Sequence, residues 1–153
     1  MLLLRFGHFL GMSLWIGGAV AAMFLVTSLR DRDSELRANA AFVLSRMHAY
    51  LIAPGAVITV ATGVLLTMTL TSRGMSEFLV RPGMVIMQIA GIGAAVVALF
   101  AGVPTANQLA TVLSAAGGES SPLAHRLRKR QAVVSSIAGT LAFAALLFGV
   151  VLR

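Results

Sequence analysis

From Phe6 to Leu29 the chain runs without one charged side chain, and three later stretches repeat this, Tyr50–Ser72, Gly83–Pro104 and Gln131–Leu152. A helix needs about 20 predominantly apolar residues to cross the hydrocarbon of a bilayer. Each stretch is long enough, so spans are expected over roughly 4–29, 50–72, 83–104 and 131–152. Composition agrees: 58% of the 153 residues are apolar, only 11% are charged, and the mean hydropathy is +0.92. So few charges cannot coat a water-facing surface. The expected class is all-α, a polytopic membrane protein built as a four-transmembrane-helix up-down bundle, with 1–153 forming one membrane domain.

The first segment reads as a retained helix, because its apolar run is too long for a cleavable signal and the basic residue before it is a lone Arg5. Basic residues set orientation. Arg30, Arg32, Arg37, Arg46, Arg126, Arg128, Lys129 and Arg130 lie on one side, and Arg5, Arg73, Arg81 and Arg153 on the other. The richer side is expected to be cytoplasmic, with both termini outside the plasma membrane. The net charge of +7 is thereby a membrane-orientation signal, and nucleic acid is not an expected partner. The lipid bilayer is the expected surrounding, with a homo-oligomer or a larger membrane complex as further partners.

The connections have their own patterns. Asp33 and Ser34 suit a helix N-terminus, with Glu35 in the first turn. Leu36, Ala40, Val43 and Met47 then recur at helical spacing, so 34–49 is expected to be an amphipathic entry lying at the cytoplasmic interface. His48 falls on its polar stripe and is expected to be solvated. Arg81-Pro82-Gly83 should open the third span, and Pro104 should kink or end it although the apolar pattern continues to Leu113. Residues 115–122, AAGGESSP, read as a flexible linker. His125 opens a basic run that serves the orientation signal. Small residues form faces in the first span (Gly7, Gly11, Gly18), the third (Gly91, Ala95, Gly102) and the fourth (Ala138, Ala142, Ala145), suited to close packing within the chain or to a dimer seam.

Intramembrane polar groups are the natural functional candidates. The chain has no cysteine, which removes thiolate metal sites and cysteine nucleophiles. No Asp, Glu, Lys or Arg lies deep in a span, and neither a catalytic triad nor paired carboxylates are visible, so catalysis by this chain alone is not expected. His8, Gln88 and scattered hydroxyls remain. Met12 lies four residues and Trp15 seven residues after His8, on the same helical face. A neutral imidazole can ligate haem iron or copper, and a thioether can complete such a site. Met84 and Met87, like Met68, fall at similar depth. The candidate cofactor-binding residues are His8, Met12 and Trp15, and the candidate metal ligands are His8, Met84 and Met87. Haem b, copper or no cofactor are the alternatives. A haem held between His8 and His48 is disfavoured, because they lie roughly 12 Å and roughly 20 Å on opposite sides of the midplane at 1.5 Å per residue.

The first span, RFGHFLGMSLWIGG, carries His8, Trp15 and Gly17-Gly18. It resembles the opening helix of the copper-resistance-D (CopD) domain family, of HemJ-type protoporphyrinogen oxidases, and of a related bacterial four-helix family of unknown function. Pro54 and Gly63 within IAPGAVITVATGVLL are similar to the second helix of those families. The resemblance covers roughly residues 4–70 and implies a four-helix membrane fold with His8 as a ligand to haem or copper. The third span, MVIMQIAGIGAAVVALF, and the fourth, entered by RKRQAVVSSIAG, lack the HemJ-type signatures, so only His8 carries over as a family ligand.

Overall fold

The expected spans fold as four long helices, and the chain is an all-α four-helix bundle of a multi-pass membrane protein. The computed structural model describes residues 1–29, 32–115 and 120–151. Helix α1 is Leu2–Ser28, α2 is Ser34–Ser72, α3 is Pro82–Ser114, and α4 is Pro122–Val151. A one-turn helix, Ser76–Leu79, lies between α2 and α3. Half of the 115–122 linker, residues 116–119, and the end of the fourth expected span lie outside the described residues.

Local chemistry sets the ends. Asp33 occupies the N-cap of α2 as expected, but its side chain makes no capping bond. Gly74 ends α2 with φ +76°: Met75 N–H reaches back to Leu70 O and Gly74 N–H to Thr71 O. This closure needs a left-handed residue, which glycine supplies. Pro82 then opens α3 directly after Arg81, where its missing N–H costs nothing.

Two helices are far longer than a membrane requires. At 39 residues, α2 is about 58 Å long, against about 30 Å of hydrocarbon. Both α2 and α3 pass an internal proline by opening one π-helical turn, His48–Ile52 before Pro54 and Ala98–Gly102 before Pro104. The Ala53 N–H bonds His48 O, and the Val103 N–H bonds Ala98 O. A proline ring collides with the carbonyl four residues back, and widening that turn removes the collision. Pro104 therefore neither ends α3 nor stops its helical pattern, which runs on to Ser114.

Packing divides the molecule into two hairpins joined at one end. Helix α1 lies along Ala53–Ser72 of α2, and Pro82–Val97 of α3 lies along α4. Trp15, Ala22, Leu44, Ile52, Ala56, Ala94, Ala95, Ala98 and Ala138 form the core between the hairpins. Nearer the chain termini the hairpins touch sparingly, and Gln88 Nε2 donates across to Thr67 Oγ1 at 3.4 Å.

The amphipathic 34–49 segment has a second, inward face beside the expected stripe, of which Leu36 and Val43 are exposed. On that inward face Ala41 packs with Leu109, Ala110 and Leu113 of α3 and with Ala124 and Leu127 of α4. An apolar stripe binds whatever apolar surface is nearest, and here α3 and the basic start of α4 present matching stripes. The extended end of the bundle is thus a second small core.

Candidate functional site

His8 faces α2, and three residues of that helix receive it. Its Nδ1–H is shared between the carbonyl of Thr59, at 2.9 Å, and Thr62 Oγ1, at 3.2 Å. A carbonyl only accepts, so Nδ1 carries the proton and the lone pair of the neutral ring lies on Nε2. Among the described residues Nε2 has no hydrogen-bond partner. Gly63 makes the room, since a Cβ there would stand 3.2 Å from His8 Cε1. His8 and Gly63, which belong to separate helical patterns in the sequence, thus meet across one interface.

The small face of α1 packs within the chain. Gly7 abuts Thr62, Gly11 abuts Thr59 and Gly55, and Gly18 abuts Ile52. The hydroxyls on α2 are mostly satisfied by their own helix: Thr59 donates to Gly55 O, Thr67 to Gly63 O, Thr69 to Leu65 O and Thr71 to Thr67 O. Back-bonding of this kind removes the cost of a polar group in hydrocarbon.

The other candidates fall in different places. Met12 is half-buried one turn beyond His8 on the same helix. Trp15 is buried in the core between the hairpins. Met87 belongs to the other hairpin, its sulfur 2.8 Å from where a Cβ on Gly149 would stand. Met84 is half-buried one turn before it. The structure pairs Met87 with α4, whereas the partners of His8 are on α2. Among the described residues no group of three or more His, Cys, Asp or Glu side chains converges.

His48 departs from expectation. It is not solvated but 6% exposed, inside the π turn of α2. Its Nδ1–H donates to Leu44 O at 2.9 Å, and Nε2 lies 3.1 Å from Nε2 of Gln131, itself 6% exposed. Gly102, in the other π turn, comes close: its Cβ would sit 3.6 Å from His48 Cδ2. Thr105, one turn further, is buried, and neither its hydroxyl nor Gln131 Oε1 finds a hydrogen-bond partner among the described residues. His48 and Gln131 are 83 positions apart. A proline inside an otherwise continuous helical pattern was the one available signal for this cluster. Along α2 about 22 Å separates it from the level of Gly63 and His8, so the two histidines form separate sites.

Comparison with family models, curated proteins and solved structures returns no match.

Proposed function

We propose that this protein binds haem b or a copper ion through His8, near the end of the bundle that carries the chain termini. The observation that carries the reading is the Nδ1–H bond from His8 to Thr59 O. It fixes the tautomer and turns the basic Nε2 away from its anchor, the arrangement that metal-ligating histidines adopt. The donors near it suit either group in part. Nε2 of His8 and the thioether of Met12, one turn apart, are soft enough for Cu(I). With haem, His8 would be the residue of α1 that holds the group; with copper, His8 and Met12 would hold it together. The bound group would supply electron-transfer chemistry, and this chain's residues would hold and orient it. The termini facing outward from the plasma membrane, by the distribution of Lys and Arg, belong to the same proposal.

The test is an absorption spectrum of the purified protein, oxidised and then reduced, with total metal assayed on the same sample. A Soret band that sharpens on reduction, or about one copper per chain, is expected. His8→Ala should lose nearly all of either signal while Met87→Leu retains it. A wild type without haem or metal, or an unchanged His8→Ala, overturns the reading. A second reading is a non-enzymatic subunit of a larger membrane complex. Gly17 and Gly139, which face open space within 4 Å, favour it, because small residues left uncovered admit another helix closely. It predicts co-purification with other chains in mild detergent, and a partner-free particle counts against it.

A further inference from the structure

We infer that His48 and Gln131 form a proton-binding site where the two π turns meet, separate from His8. The Nδ1–H of His48 is committed to Leu44 O, so the neutral ring presents a lone pair at Nε2. There the Gln131 amide donates at 3.1 Å, while its Oε1 stays buried without a partner. Glutamine is the side chain that can serve both protonation states, having a donor and an acceptor on one planar group. When a proton adds to the Nε2 lone pair, an N–H bond forms and the ring gains one positive charge. The amide then turns over, and Oε1 accepts from the new Nε2–H in a charge-assisted bond, stronger than the one it replaces. Leu44 O still accepts from Nδ1–H in both states. The orphaned oxygen of the neutral state is thus the acceptor that the protonated ring requires.

A polar groove lies near the site, without His48 or Gln131 in its lining. This groove, of about 340 Å³ at the extended end, is lined by Ser45, Arg46, Ala49, Asn107, Thr111 and Ser114. Ser45 and Ala49 are the residues one turn before His48 and directly after it. The charged and titratable neighbours are few. On α2, Arg46 lies over the rings of Phe42 and Tyr50 and donates to the Tyr50 hydroxyl at 3.1 Å. On α4, Arg128, Lys129 and Arg130 precede Gln131, with His125 further back. Neither α3 nor the stretch of α1 beyond His8 has an ionisable side chain. No carboxylate therefore competes with Gln131 as the partner of the protonated ring at this level.

The experiment follows the Nε2 resonance of His48 in the full chain, ¹⁵N-labelled at histidine and held in lipid nanodiscs, from about pH 9 to about pH 4.5. The resonance is assigned by its loss in His48→Gln. Expected is a reversible change from a lone-pair to a protonated nitrogen. In Gln131→Leu the midpoint should fall by roughly one pH unit, a tenfold loss of proton affinity, and in Gln131→Glu it should rise. A His48 that stays neutral throughout, or a midpoint that Gln131→Leu leaves in place, overturns the inference. Should Gln131→Leu fail to fold, an unmoved midpoint in Gln131→Glu overturns it equally.

Discussion

Gly55→Ala is expected to destabilise the protein by about 3 kcal/mol and to change the fluorescence of Trp15. A Cβ on Gly55 would lie 2.6 Å from the backbone nitrogen of Trp15 and 2.9 Å from the carbonyl oxygen of Gly11. Both are main-chain atoms, so no rotamer change relieves the overlap, and the helices must part by roughly an ångström. The contact is reciprocal. A Cβ on Gly11 would meet Thr59 N at 2.8 Å and Gly55 O at 3.0 Å. Trp15 is the only tryptophan, so its emission reports this crossing without labelling. The same separation pulls on the bond from His8 to Thr59 O, one turn along the seam, so any metal held by His8 should be weakened together with the fold. Gly17→Ala is the matched control. Nothing lies within 4 Å of that position, and alanine improves helix propensity, so its thermal midpoint should equal or exceed the wild type's. Equal midpoints for Gly55→Ala and Gly17→Ala would show that backbone proximity is not what holds α1 on α2.

Much of this was legible in the sequence because the bilayer imposes a simple rule. Charge-free stretches of the right length gave four helices, and the expected 4–29 became Leu2–Ser28. Pro82 marked the start of α3, and the glycines of α1 marked its packing face. What was missed is the inward face. The stripe Leu36, Ala40, Val43 and Met47 drew attention to one side of 34–49, while Leu36 and Val43 are exposed and it is Ala38 and Ala41 that pack against α3 and α4. His48 belongs to the same inward face, four residues after Leu44 and seven after Ala41, both buried. For His8 the sequence identified a polar group within a span. Its anchor, the Thr59 carbonyl, is a backbone atom with no sequence signature. Gln131 follows a run of basic residues, and its sequence neighbours say nothing of the inward position, 6% exposed, that the fold of α4 gives it.

Deleting Phe100 should be the other severe change, although Phe100 is 77% exposed and Phe100→Ala should cost no more than about 0.5 kcal/mol. The π turn Ala98–Gly102 holds one residue more than an α-helical path between the same two ends would. Removing that residue lets the turn close as α-helix while the stretch beyond it keeps its orientation. Leu109, Ala110 and Leu113, on the buried face of that stretch, therefore stay against Ala41, Ala124 and Leu127. What the deletion loses is the room for Pro104, whose ring collides with the carbonyl four residues back in a regular helix at a cost of about 3 kcal/mol. The expected readout is a large fall in the thermal midpoint. Pro104→Ala alone leaves the residue count unchanged, so closing the turn there would rotate everything beyond it by about 100° and turn the buried face out. That variant should therefore keep the π turn and lose about 1 kcal/mol or less. Combining the deletion with Pro104→Ala removes the collision without a rotation, so the double variant should recover most of the wild type's midpoint. A double variant as unstable as the deletion would show that the extra residue itself, and not room for the proline ring, is what the extended end requires.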